Sequence, residues 1–241
     1  MLKLMVRDAE QLATMDAEYR DALTHQMLAH CEGELVGVKD YLDVMVIAPT
    51  AEEKKYCLEG ARDEMHHYIV SAKVLDEIGI DTRYMLEEGP DDRRFYPQEV
   101  LNLKTTLTWP ERGLTSFLAE RAALDIIEEM AESSYEPWAA VMPGIIAEES
   151  THVAHGRRIT AQFCGTAEGL REMQSALERI WPQTLDMFGA SDSRRSAVAL
   201  RCGLRQRTNE EARRHFSKRA RVMLQEFGLI PPADDLNRKF H

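Results

Sequence analysis

Two short stretches carry the residue types from which a metal site is built: Asp63-Glu64-Met65-His66-His67 and Glu148-Glu149-Ser150-Thr151-His152. Each contains Glu-x-x-His, Glu64 with His67 and Glu149 with His152. Residues three apart on a helix share a face, one turn apart. A carboxylate and an imidazole at that spacing can grip one metal ion. Hard carboxylates with one imidazole per metal suit iron or manganese better than zinc.

Such a site needs further carboxylates, and spacing says where to look. Glu34 lies 64 − 34 = 30 residues before Glu64, and Glu120 lies 149 − 120 = 29 residues before Glu149. Each interval fits a helical hairpin with arms of about 15 residues, roughly 22 Å at 1.5 Å per residue. The chain thus carries Glu…Glu-x-x-His twice, which is the pattern of ferritin-like dimetal carboxylate bundles. Two Glu-x-x-His pairs alone say little, because composition predicts about 0.9 of them at random. The setting adds weight. Glu34 sits in Gly-Glu-Leu-Val-Gly-Val and Glu120 in Phe-Leu-Ala-Glu-Arg-Ala-Ala-Leu, and a carboxylate on an apolar helix face is costly unless paired or metal-bound.

The positioning elements are expected to be helices. Ala, Leu, Glu, Met and Arg dominate and β-branched runs are short, so the chain reads as all-α. A first long helix is expected from about residue 8 to 46. Thr50, with Glu53 three residues on, starts a second, which carries Glu64 and His67 and stops near Gly79. The polar stretch from Glu87 to Arg94 reads as the crossover a ferritin-like bundle requires. Pro110-Glu111 opens a third helix carrying Glu120 and ending near Glu132. A fourth runs from about 137 to 163, with a kink or broken start at Pro143-Gly144. Three more are expected over about 167–188, 191–203 and 208–227, before an extended tail at Pro231-Pro232. Residues 1–241 are read as one ferritin-like helical domain, with a core bundle over about 8–163 and a C-terminal helical extension over about 167–241.

Composition removes several function classes. A net charge of −11 on 241 residues argues against a general nucleic-acid binder. Cys31, Cys57, Cys164 and Cys202 are scattered without Cys-x-x-Cys, as for reduced thiols in a cytoplasmic protein. The N-terminus meets acid at Asp8 without a long apolar core, unlike a signal peptide. No apolar run approaches the roughly 20 residues of a membrane span. Charge is nevertheless uneven. Residues 194–221 hold nine arginines and one lysine against Glu210 and Glu211, which reads either as a solvated face or as an anion-binding surface.

Several motifs occur in one order: Tyr19-Arg20-Asp21-Ala22-Leu23, Gly33-Glu34-Leu35-Val36-Gly37, Ala48-Pro49, Asp63-Glu64 with His67, Leu107-Thr108-Trp109, Ser134-Tyr135, Glu148-Glu149-Ser150 with His152, and Arg207-Thr208-Asn209-Glu210-Glu211. From about Tyr19 to Pro232 the chain resembles the catalytic subunits of bacterial phenylacetyl-coenzyme A epoxidases, in the phenylacetic acid catabolic protein family of ferritin-like di-iron oxygenases. The resemblance implies two irons, with dioxygen as co-substrate and electrons from a separate reductase. It also implies an aromatic ring held as a coenzyme A thioester and a metal-free helical partner subunit. Two positions depart from that pattern: Glu120 stands where Asp is usual, and Met65-His66 where a small residue and Gly are usual.

On this reading Glu34, Glu64 and His67 hold one metal, and Glu120, Glu149 and His152 the other, with Glu64 and Glu149 as bridges. Asp63 and Glu148 are candidates to orient the histidines, since a ligating imidazole usually donates its other N–H to a carboxylate. His66 points about 100° away from His67 and is expected to be packed or exposed. His155 reads equally as a supporting or a solvated residue. Gly33 and Gly37 either open a channel or let helices pack closely. Trp109, Trp138 and Trp181 read as core or interface. Arg205, Arg207, Arg213 and Arg214 are the candidates to hold an anionic carrier or an acidic partner surface. The leading function is a di-iron monooxygenase acting on an aromatic or acyl substrate. Its alternatives are a non-catalytic helical scaffold subunit of such a complex and a ferritin- or rubrerythrin-like iron-oxidising protein; the expected partners are a reductase and either a helical partner subunit or further copies of the chain in a homo-oligomer.

Overall fold

A computed structural model describes residues 5–89, 92–95 and 108–241. Helices dominate them: α1 (Ala9–Thr14), α2 (Ala17–Met45), α3 (Ala51–Glu77), α4 (Trp109–Thr115), a π-helical turn (Ser116–Glu120), α5 (Arg121–Met130), α6 (Glu136–Cys164), α7 (Ala167–Asp186), α8 (Arg194–Arg201) and α9 (Asn209–Gln225). Among the described residues the only β pairing is an isolated parallel bridge between Val6 and Tyr135.

The starts follow side-chain capping. Thr50 accepts the Glu53 N–H (3.2 Å), and Thr108 and Thr208 form reciprocal capping boxes with Glu111 and Glu211, each satisfying backbone donors that a helix leaves open. The same chemistry breaks the expected first helix. Asp8 caps α1 through the Gln11 N–H (2.8 Å). Asp16 caps α2 through the Tyr19 N–H (2.7 Å), with Met15 extended between them (ψ 155°). An Asp offering its own acceptor competes with helix continuation, so residues 8–46 form two helices. In contrast, α6 runs unbroken through Pro143. A proline removes one backbone bond and strains one turn, and 29 residues of helix carry that loss without the expected broken start. Gly79 (φ +79°) ends α3 in the left-handed conformation that glycine adopts without Cβ strain.

The chain divides into two compact units. The first comprises Met1–Gln98, Ile127–Ile146 and Arg194–Gln206. Its centre is the hairpin of α2 and α3, joined by residues 46–50. The Gly60 backbone lies against the Tyr41 ring, so that an added Cβ would stand 2.7 Å from it. The Tyr19 hydroxyl meets Ser134 Oγ (2.9 Å), and Ser134 Oγ donates to the Cys202 carbonyl (2.8 Å). Of the expected crossover, residues 90 and 91 lie outside the described residues. On its far side, buried Glu32 accepts the backbone N–H groups of Arg94 (3.0 Å) and Phe95 (2.7 Å).

The second unit comprises Glu99–Ile126, Ala147–Ser193 and Arg207–His241. The residues expected to form one C-terminal extension are therefore distributed over both units. In the second, Trp181 stacks on Phe216 (6.0 Å between centroids) and Phe117 meets Phe227 edge-on. The α4 backbone and the π turn press against α6: a Cβ on Gly156 would stand 2.8 Å from Ser116 Cβ and 2.9 Å from the Gly113 carbonyl. The tail after Pro231-Pro232 is tied back by Asp186, which accepts the N–H groups of Lys239 (2.9 Å) and Phe240 (3.0 Å).

Candidate metal centre

In the first unit, α2 presents Glu34 and α3 presents Glu64 and His67, and all three are buried. One donor atom from each lies within 4.8 Å of the others. His67 Nδ1 is 3.1 Å from Glu34 Oε2. The other carboxylate oxygen, Oε1, is 3.1 Å from His30 Nδ1. His30 is four residues before Glu34, one turn along the same face, and its ring sits edge-on to buried Trp138 at 5.2 Å. The Glu-x-x-His motifs do not single out His30; its i,i+4 spacing to a candidate ligand is the sequence signal that finds it.

In the second unit, Glu149 and His152 lie on one face of α6, with His152 Nδ1 3.5 Å from Glu149 Oε2. Glu120 ends the π turn, buried, and its Oε1 is 3.9 Å from a guanidinium nitrogen of buried Arg112. In a regular α-helix residues eight apart are offset by about 80°. The wider turn at Ser116–Glu120 absorbs roughly one extra residue, bringing Glu120 back to the Arg112 face. Nothing in the sequence pattern signals this turn.

The donor set fits a divalent cation of the iron type. Two carboxylates gathered out of water are unfavourable as anions without a compensating cation, and carboxylates with few imidazoles are the donors that such ions select. Burial pushes the thiol of Cys31, in the same stretch of α2, well up, and the nearby Glu34 carboxylate adds to this.

The other candidates separate. His66 is exposed, and His155 lies edge-on to Trp109 at 6.3 Å. Asp63 accepts from Arg62 (2.7 Å). Arg213 corrects the reading of the basic tail. It is 2% exposed and donates to the Leu185 carbonyl (3.2 Å), Ser191 Oγ (2.9 Å), Glu210 (2.7 Å) and the Gly189 carbonyl. It fixes a turn inside the fold and offers no surface for a ligand. Arg205 contacts Ser196 (3.1 Å) and Glu129 (3.6 Å) in the first unit. Arg214, exposed, pairs with Glu210 (2.8 Å), and Arg207 is half-buried. Elsewhere in the tail, Arg201 meets Glu18, Arg219 meets Asp125 and Arg221 meets Asp234. Much of the basic excess therefore neutralises acids of this chain.

The four cysteines form no disulfide, and among the described residues no helix is long and apolar enough to cross a membrane. The sequence pattern of a family described as phenylacetic acid catabolic protein matches residues 5–239. The chain is 28% identical over 226 residues to one component of the 1,2-phenylacetyl-CoA epoxidase of Escherichia coli (strain K12), covering 92% of this chain and 72% of that one. Among solved structures, a variant of an R2-like ligand-binding oxidase with a reconstituted Mn/Fe cofactor superposes with a TM-score of 0.63 at 15% identity, covering 91% of this chain and 85% of that chain. The same oxidase after a long soak gives 0.59, also at 15% identity, over 91% and 84%. The fold class is thus all-α and ferritin-like, with a carboxylate–imidazole cluster among its helices.

Proposed function

The chain belongs to the phenylacetic acid catabolic protein family, and from that premise we propose that it is a dimetal oxygenase acting on an aromatic or acyl group carried as a coenzyme A thioester. The observation that carries this reading is the buried cluster of Glu34, Glu64 and His67, matched in sequence by Glu120, Glu149 and His152. By the ferritin-like template the two half-sites serve one centre of two irons, or of manganese and iron. Such metals, when bound and reduced, supply the electrons and Lewis acidity that dioxygen activation requires.

The protein's own residues do the positioning. Glu64 and Glu149 are the proposed bridges, Glu34 and Glu120 the terminal carboxylates, and His67 and His152 the nitrogen donors. His30 holds the Glu34 oxygen that faces away from His67. Burial of all six ligands excludes water, which strengthens each charge interaction there. In the overall balance one oxygen atom enters the substrate and the other leaves as water, with two electrons from a separate reductase and two protons. The Escherichia coli relative is one of several chains of its enzyme by its name, which supports a partner chain here. For the carrier phosphates, Arg207 and exposed Arg214 are the proposed contacts; buried Arg213 is not among them.

A single-turnover experiment tests the reading. The protein is loaded anaerobically with ferrous iron, chemically reduced, given phenylacetyl-coenzyme A and then exposed to isotopically labelled dioxygen. One labelled oxygen atom in the thioester product is expected. Iron oxidation with the thioester recovered unchanged contradicts an oxygenase and favours the iron-oxidising alternative.

A further inference from the structure

Gly37 occupies the interior of α2, three residues beyond Glu34 and on the same face. Glycine in mid-helix is less favourable than alanine because it loses more backbone freedom. No left-handed backbone requires it, since Gly37 is absent from the positive-φ glycines. The space explains it. A Cβ on Gly37 would stand 2.5 Å from the Glu64 carboxyl carbon, 3.0 Å from its Oε1, and closer still to Oε2. Real Cβ atoms essentially never approach within 3.0 Å of such neighbours. The Glu64 carboxylate therefore fills the place where a side chain would be.

The hairpin holds a second glycine notch for comparison. Gly60 of α3 receives the Tyr41 ring of α2, an apolar packing contact between rigid groups. At Gly37 the occupant is instead the far end of a flexible chain. An added methyl there displaces the carboxylate without forcing the helices apart.

We propose that Gly37 is a positioning residue for the metal centre: its missing side chain forms the seat that holds the Glu64 carboxylate beside Glu34 and His67. This rests on the metal reading above and goes beyond it, because it assigns to a residue with no donor atom the placing of a proposed bridging ligand. Neither opening a channel nor simple close packing is needed to account for the glycine.

The test compares Gly37→Ala with Gly144→Ala in the full chain. Gly144 is also inside a helix, and a Cβ there meets nothing within 4 Å. Metal-free, both variants are expected to melt at or above the wild-type temperature, as glycine-to-alanine changes in helices do. In anaerobic ferrous titrations Gly37→Ala should bind iron about tenfold more weakly or worse, and should lose the rise in melting temperature that iron gives the wild type. Gly144→Ala should keep both. Glu64→Asp, one methylene shorter, should weaken binding alone yet recover part of the affinity when added to Gly37→Ala. Wild-type affinity in Gly37→Ala overturns the proposal. So does a metal-free Gly37→Ala that is markedly destabilised, which would make Gly37 a packing notch like Gly60. A wild-type protein that binds no iron removes the metal reading itself, and the seat with it.

Discussion

The two half-sites share a sequence motif and differ in what surrounds it. In the first unit Glu34 stands between two imidazoles, His67 and His30, each 3.1 Å from one of its oxygens, on regular α-helix. In the second, Glu120 ends a π turn and faces the buried guanidinium of Arg112 at 3.9 Å. An imidazole can give up its proton and leave the charge of Glu34 to a metal, whereas a guanidinium stays charged and offsets part of the charge of Glu120. One motif thus yields a half-site whose neighbours can release charge and another with a permanent cation nearby. The first should load before the second.

The largest effect that sharpens this contrast is expected at Arg112. Arg112→Leu leaves the Glu120 carboxylate buried without its cation, and breaking such a pair costs the metal-free protein about 3 kcal/mol. Bound metal should restore part of that loss. Calorimetric melting with and without iron therefore shows a wider gap for Arg112→Leu than for wild type. An equal loss with and without iron would mean that Arg112 only packs.

The mirror-image change, His30→Ala, acts with the opposite bias and is smaller. It frees one oxygen of Glu34, and loss of such support typically weakens metal binding about 10–100-fold. The metal-free melting temperature should move less than in Arg112→Leu, and His30→Gln, which can still donate to Glu34, should restore affinity. Two-step ferrous titration reads this: the tighter step weakens and the looser one stays. If the looser step moves instead, the order of loading is reversed.

Much of this is legible in the chain. Thr50, Thr108 and Thr208 mark helix starts because a hydroxyl three residues before a Glu is a local signal, and the paired Glu-x-x-His marks the candidate ligands because α periodicity is local too. What the sequence withholds is non-local or aperiodic. The π turn breaks the helical period just before and at Glu120. The seat at Gly37 exists only when α2 and α3 meet. The basic tail looks unneutralised in sequence because its partners are remote: Arg201 pairs with Glu18, 183 residues away, and Arg219 with Asp125, 94 residues away. Asp16 is the exception, a local signal that helical periodicity hides: Asp is a favoured cap, and here it starts α2 where the pattern suggests a helix interior.

We propose that the six residues hold two metals together, with Glu64 and Glu149 as the shared carboxylates. Elemental analysis of iron per folded chain tests it most directly, in the wild type and in Glu64→Ala and Glu149→Ala. About two irons are expected in the wild type, the count the dimetal template requires. Each variant should fall well below one, because loss of a shared ligand disables both metals together. Full iron occupancy retained in both variants would rule out shared ligation by Glu64 and Glu149.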